Sequence, residues 1–218
     1  MKKVLIAGAT GLVGKNLVKR LLDDDFFTEV HVLARRNLDF SSPKLFVHIA
    51  DFDNLQTLND SFGCDVFFCA LGTTIKKAGS QDNFKKVDYT YVIKSAQLAQ
   101  NNGATEGHVV TALGSNAESK IFYNRVKGEV QNTLKEMNYS SMTIYQPSLL
   151  LGERDEFRLG EVLGTVFYKI LSFLFFGPLK KYKGIKGENV ARGMIQHSKR
   201  EQSVFSIVPS HEIYQKNV

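Results

Sequence analysis

The sequence predicts an α/β fold, a doubly wound parallel sheet with helices on both faces. Two observations carry that expectation. Short apolar runs alternate with segments whose apolar residues recur at helical spacing, from Lys3 to Gln146. The first run, Lys3–Ala7, passes through Gly8, Gly11 and Gly14 straight into a helix bearing Leu12, Val13, Leu17, Val18, Leu21 and Leu22. Strand, glycine turn and helix in that order is the Rossmann-type arrangement that binds a dinucleotide. At 218 residues the chain can bury one full core, so a single domain over 1–218 is expected.

Each glycine of the first turn has its own task. Gly8 permits the tight turn, Gly11 leaves room for a diphosphate beside the main chain, and Gly14 lets the helix lie close to the strand. The helix N-terminus then faces the phosphates with free N–H groups. Gly8, Thr10, Gly11, Leu12, Val13 and Gly14 are therefore candidate cofactor-binding residues. Their G-x-x-G-x-x-G spacing departs from the commoner G-x-G-x-x-G.

A second strand, Glu29–Leu33, runs into Ala34-Arg35-Arg36. An Asp or Glu about 20 residues past the glycine turn would bond the ribose 2′-hydroxyl of NAD, whereas arginine accommodates the 2′-phosphate of NADP. No carboxylate ends this strand and two guanidinium groups follow it, so NADP(H) is the expected cofactor, with Arg35 and Arg36 as its discriminators. A third strand, Lys44–Ala50, places Asp51 to accept a bond from the adenine amino group and Phe52 against its ring. Asp53 is an alternative cap for the short helix from Leu55. His31 and His48 fall within strands and read as packing residues.

Asp65–Ala70 is a fourth strand, apolar after Asp65 as befits one covered on both faces. Ala70, Leu71, Gly72 and Thr73 follow it at the ribose and nicotinamide end of such a cofactor. A basic loop, Ile75–Gln81, leads to a long helix from Phe84 to Asn101, which Gly103 ends. The fifth strand, His108–Thr111, is followed by Ser115 and by a helix carrying Tyr123 and Lys127 on one face. A phenol with a pKa of about 10 is a poor acid or base at neutral pH, and a nearby ammonium favours its ionised form.

The chain resembles the atypical short-chain dehydrogenases/reductases, and among them the NADPH-binding oxidoreductases related to the human HIV Tat-interacting protein. The resemblance rests on Gly8-Ala-Thr-Gly11-Leu-Val-Gly14, Ala70-Leu-Gly72-Thr73-Thr74, Val87-Asp88 with Lys94-Ser-Ala, and Tyr123-x-x-x-Lys127-Gly-Glu129. Gln146-Pro147-Ser148, Gly152-Glu-Arg and Gly160-Glu161 extend it over most of the chain. It implies a Rossmann fold, bound NADPH and a Tyr123/Lys127 pair in the reductase position. The two neighbouring serines of the family fall on Thr111 and Ala112, so Thr111 is expected to substitute for the carbonyl-orienting serine, with Ser115 as the nearest serine. In similar proteins the segment after the sixth strand, here Met142–Gln146, covers the nicotinamide, which makes Pro147 and Ser148 cofactor neighbours.

Beyond Arg158 the stretch Leu159–Phe176 is strongly apolar, but Glu161 and Lys169 interrupt it. It reads as a helix over the substrate side or at a subunit interface, with membrane contact through 159–186 and its Lys180–Lys183 run as the less favoured alternative. A helix from Glu188 to His197, a strand from Ser203 to Val208 and a C-terminal tail complete a small substrate-side portion over 148–218. The net charge of +6 suits a phosphorylated cofactor, and no nucleic-acid or metal site is expected. Cys64 and Cys69 show neither metal-ligand nor disulfide spacing, and no signal segment precedes the first strand, so a reducing cytoplasm is expected. The reading that follows is an NADPH-dependent reductase of a small carbonyl compound, with a homodimer as a possible assembly. Its rivals are an NADPH-sensing regulatory protein with little turnover and an NAD-dependent sugar-nucleotide epimerase-like isomerase.

Overall fold

Residues of β1 (Lys2–Ala7) alternate between two cores: Val4 and Ile6 join one, Leu5 and Ala7 the other. A strand buried on both sides in this way can only be central, and the computed structural model, which describes residues 1–59, 62–152, 183–200 and 204–214, places it there. Its neighbours are β2 (Phe27–Ala34) and β4 (Val66–Cys69), and β3 (Leu45–Ile49) lies outside β2. Beyond β4 come β5 (Glu106–Val110), β6 (Ser141–Gln146) and β9 (Phe205–Pro209). The order β3-β2-β1-β4-β5-β6-β9 is parallel throughout and reverses direction at β1/β4, the Rossmann arrangement. A separate parallel pair joins β7 (Leu150–Leu151) to β8 (Ile185–Lys186).

On one face lie α1 (Leu12–Leu22) and α6 (Gly187–Ser198), packed together through Val13, Leu17, Val190 and Met194. The other face carries α4 (Tyr91–Asn101) and α5 (Phe122–Glu136), with Val92, Ala96, Val130 and Leu134 in its core. Residues after Ser148 thus do more than form a substrate-side cap, since α6 completes one face and β9 supplies the seventh strand. The apolar stretch 159–176 and Lys180–Lys181 lie outside the described residues. Among the described residues no helix is long and apolar enough to cross a membrane.

The long helix expected from Phe84 is interrupted. After the short α2 (Ile75–Ala78), α3 (Gln81–Lys85) passes through a π turn at Lys86–Thr90 before α4 begins. Asp88, buried in that turn, faces inward, and apolar periodicity carries no signal for such a local change of pitch. Asp53 does not cap the helix at Leu55–Leu58, because Asn54 occupies the cap position. Its carboxylate instead takes Lys86 at 2.8 Å and the Tyr91 hydroxyl at 3.2 Å, tying the loop after β3 to α4.

The buried histidines are packing residues. His31 stacks between Phe46 at 5.0 Å and Phe62 at 4.8 Å and bonds His48 at 2.9 Å. On the α1/α6 face, Glu106 meets Lys2 and bonds His108 at 2.7 Å; His108 then reaches the Tyr145 hydroxyl at 2.8 Å, and that hydroxyl reaches His197 at 3.1 Å. Burial lowers the pKa of His108 despite Glu106, and burial likewise lowers those of His31, His48 and His197. A base with a depressed folded pKa contributes its stability in full above the unfolded histidine value of about 6.5 and loses it as pH falls below. Glu106, also held low, loses its share only in more acid solution. The urea midpoint should therefore be lower at about pH 5.5 than at about pH 7.5, and equal midpoints would show that these imidazoles do not bury as neutral groups.

Candidate functional site

Because the strands are parallel, all their carboxyl ends open on one edge of the sheet. The Gly8–Gly14 turn follows β1 there, Arg35 and Arg36 follow β2, and Asp51 and Phe52 follow β3. Ala70–Thr73, Thr111–Ser115 and Pro147–Ser148 follow β4, β5 and β6. The sequence-based candidates thus line one continuous edge.

Gly8 takes φ of +91°, and a Cβ there would lie 2.6 Å from the Ala70 carbonyl carbon and the Leu71 nitrogen. A Cβ on Gly14 would lie 2.0 Å from the Gly8 oxygen, so α1 rests directly on the turn. Gly11 begins α1 with no side-chain cap and no acid in the first turn. The positive end of the helix dipole is left for an incoming anion. Thr10 and Gly11 are exposed; Leu12 packs against Gly152 and Gly187, and Val13 is buried, so those two offer a ligand their N–H groups alone.

Arg35 and Arg36 are exposed and form no ion pair among the described residues. Asp51 is exposed, one carboxylate oxygen accepting the Asp53 N–H at 2.9 Å. The Phe52 ring is buried beside Tyr91 at 5.4 Å, so it serves the core and offers no open face to an adenine. That expectation is corrected by packing: the half-buried Tyr91 ring holds Phe52 inward.

Tyr123 is half-buried near the start of α5, its ring 5.5 Å from Phe84. One turn on, Lys127 is buried and pairs with Asp88 at 2.8 Å. The other Asp88 oxygen accepts the Thr73 N–H at 2.8 Å. Gly72 lies over the pair: a Cβ there would be 3.4 Å from Asp88 Oδ1 and 3.8 Å from Lys127 Nζ. Burial alone would lower the Lys127 pKa, but the charges of Asp88 and Tyr123 outweigh it and hold it above the ordinary lysine value.

Two expected roles are not met in this arrangement. The Thr111 hydroxyl donates to the Tyr145 carbonyl at 3.2 Å and accepts from Gln131 Nε2 at 2.8 Å. Its only proton is committed, so it is not placed to hold a substrate carbonyl. Ser115 donates to the Ala112 carbonyl at 2.6 Å and closes its own turn. Pro147 is buried and its carbonyl accepts the Leu113 N–H at 2.9 Å, joining the ends of β5 and β6. Ser148 bonds the Lys183 carbonyl at 2.5 Å and Ser210 at 3.0 Å, which gives its hydroxyl a structural task at that edge.

Residues 3–93 match the family described as Semialdehyde dehydrogenase, NAD binding domain, a span that contains the glycine turn and both arginines. The chain is 37% identical over 171 residues to Protein HTATIP2 of Rattus norvegicus, covering 77% of this chain and 70% of the relative. It is also 37% identical over 156 residues to the mitochondrial Protein FMP52 of Candida albicans, covering 69% and 68%. The chain belongs to the HTATIP2 family. A short chain dehydrogenase family protein from Francisella tularensis superposes with a TM-score of 0.65 at 15% identity over 99% of this chain and all of that one, and shares its fold. This HTATIP2-family chain thus has a Rossmann fold whose residues 3–93 match a family of NAD binding domains.

Three residues of the site have roles that the sequence does not reveal. Asp88 stands in the sequence only as part of the Val87-Asp88 match that carries the family resemblance, with no role attached to it. Gln131, one turn past Lys127, holds Thr111, and Gln146 bonds Gln131 in turn at 3.3 Å. Their polar side chains look like ordinary surface residues until α5 is packed on the sheet. Free cysteines need no such correction: Cys64 and Cys69 are buried, and burial pushes both thiols up to about 12. Among the described residues no group of three or more potential ligands could hold a metal ion.

The glycine turn yields a direct test. Gly14→Ala forces a methyl group into the Gly8 carbonyl, so a loss of about 1–3 kcal/mol in urea unfolding is expected, as for other overpacked sites. Dinucleotide affinity should fall with it. Unchanged stability would show that α1 does not rest on the turn.

Proposed function

We propose that this chain is an NADPH-dependent oxidoreductase that reduces the carbonyl of a small molecule. The observation that carries the reading is Tyr123 and Lys127 on one face of α5, with Lys127 anchored beneath the Gly72–Thr73 turn where a dinucleotide laid along the strand ends would reach. The residues present fit such a cofactor. An uncapped helix end behind Gly8–Gly11 suits a diphosphate, and two exposed arginines with no carboxylate at the end of β2 suit a 2′-phosphate. Bound NADPH would supply a hydride to the carbonyl carbon. Tyr123 would give its phenolic proton to the carbonyl oxygen, and Lys127 would bond the ribose and stabilise the phenolate left behind.

A second reading has its own observation. With Thr111 and Ser115 both committed elsewhere, no hydroxyl at the end of β5 is set to orient a carbonyl, which favours a chain that binds NADPH and turns over slowly, acting as a sensor. The arginines after β2 argue against an epimerase with tightly held NAD. A cytoplasmic location remains part of the proposal. Two buried free thiols support a reducing compartment, while the printed name of the Candida albicans relative assigns that protein to mitochondria.

Parallel fluorescence titrations with NADPH and NADH test the cofactor. NADPH should bind more tightly, and Arg35→Ala with Arg36→Ala should remove about tenfold or more of that preference, the worth of a hydrogen bond to a charged group. Preference for NADH would overturn the assignment. In a screen of aldehydes and ketones, Tyr123→Phe should cost on the order of a hundredfold or more in kcat with NADPH affinity retained. Tight NADPH binding with no turnover by the unaltered protein would decide for the sensor.

A further inference from the structure

The Lys127 ammonium sits in a setting that burial alone makes unfavourable. Lys127 is 4% exposed and Asp88 is 1% exposed, so neither charge is offset by bulk water. Isolated ions at such depth are costly, and a buried pair with one partner removed leaves an uncompensated charge. Asp88 has two oxygens and two different tasks. Oδ1 meets Lys127 Nζ at 2.8 Å, while Oδ2 accepts the Thr73 N–H at 2.8 Å. One carboxylate, carried on the π turn between α3 and α4, therefore spans α5 and the loop after β4. Gly72 lies over the pair, where a Cβ would be 3.4 Å from Asp88 Oδ1 and 3.8 Å from Lys127 Nζ.

We propose that Asp88 is the positioning residue of this site, fixing the Lys127 ammonium and the Gly72–Thr73 turn to one carboxylate so that a bound dinucleotide meets both together. The part of this that concerns the dinucleotide rests on the oxidoreductase reading; the electrostatic part stands on the protein alone. Three titratable groups face Lys127: Asp88 from the π turn, Tyr123 from α5 itself and Cys69 from β4. The Cys69 thiol is pushed up to about 12 by burial and stays neutral near pH 7. Asp88 is thus the nearby group whose negative charge offsets the buried ammonium at that pH.

Asp88→Asn separates the two tasks, because an amide oxygen can still accept the Thr73 N–H while the negative charge is gone. Lys127 then faces burial without compensation, and its folded-state pKa falls below that of the unfolded chain. The unfolded form then binds a proton that the folded form does not, so the stability of D88N should rise relative to the unaltered protein as pH increases. In cofactor-free urea unfolding from about pH 6.5 to about pH 9.5, the D88N midpoint should start well below that of the unaltered protein and approach it steadily. A gap that stays constant with pH would overturn the proposal.

If D88N does not fold at the lower pH, D88N combined with Lys127→Met removes the stranded charge and should restore folding. Failure of the double variant as well would mean that the stranded ammonium is not what destabilises D88N, which also overturns the proposal. With NADPH, D88N at about pH 9.5 should bind about tenfold more weakly than the unaltered protein, reflecting loss of a charged donor. Equal affinity there would refute the dinucleotide part. Absence of NADPH binding in the unaltered protein would instead refute the oxidoreductase reading and leave the urea result to judge Asp88.

Discussion

The close seating of α1 on the turn after β1 is the constraint on which the rest of the site depends. The Gly8 backbone lies against Ala70 and Leu71, and Gly14 lies against the Gly8 carbonyl, so three segments share a space that no side chain could enter. That contact fixes the helix N-terminus at the end of the central strand. It also brings the end of β4 beside it, across the point where the strand order reverses. A groove at such a reversal is a consequence of topology and needs no further device to hold it open. The groups that give the groove its chemistry come from the loops that topology leaves there.

Polar groups buried on the two faces have different characters. Toward α1 and α6, Lys2, Glu106, His108, Tyr145 and His197 form a connected series whose imidazoles are held neutral by burial. Toward α4 and α5, Asp88 and Lys127 form a charged pair, with Gln131 and Thr111 a turn further along. The first series lies within the sheet, away from the strand ends. The second lies directly behind them. Only the second can act on a ligand at the groove, and this asymmetry follows from where α5 begins.

Much of this arrangement could be read from the residues. Lys3–Ala7 and Asp65–Ala70 announced central strands because both of their faces are apolar, and the three glycines announced the turn between strand and helix. Single residues at strand ends were also legible, since a parallel sheet sends every such end to the same edge. What could not be read was the direction of polar side chains on α5 and on the helix before it. Thr111 has the chemistry to orient a carbonyl, yet its hydroxyl is claimed by Tyr145 and Gln131 across two strands and a helix. Phe52 has a ring suited to stacking, yet it is drawn into the core by Tyr91. Both outcomes depend on contacts distant in sequence, where local pattern carries no information.

The pairing of Lys127 with Asp88 bears on how strongly the site can drive chemistry. A lone ammonium in a poorly screened interior projects its full charge, and the interaction decays only as the inverse of distance. With a carboxylate 2.8 Å away, the two charges largely cancel at longer range, and Tyr123 faces a dipole in place of a net cation. A cofactor hydroxyl that touches Lys127 directly still finds a charged donor, because hydrogen bonding is short-ranged. The arrangement therefore preserves the capacity to grip a dinucleotide better than it preserves the capacity to polarise a phenol. Together with the committed hydroxyl of Thr111, it favours the binding role of the proposed site over proton transfer by Tyr123, which would proceed there with little support.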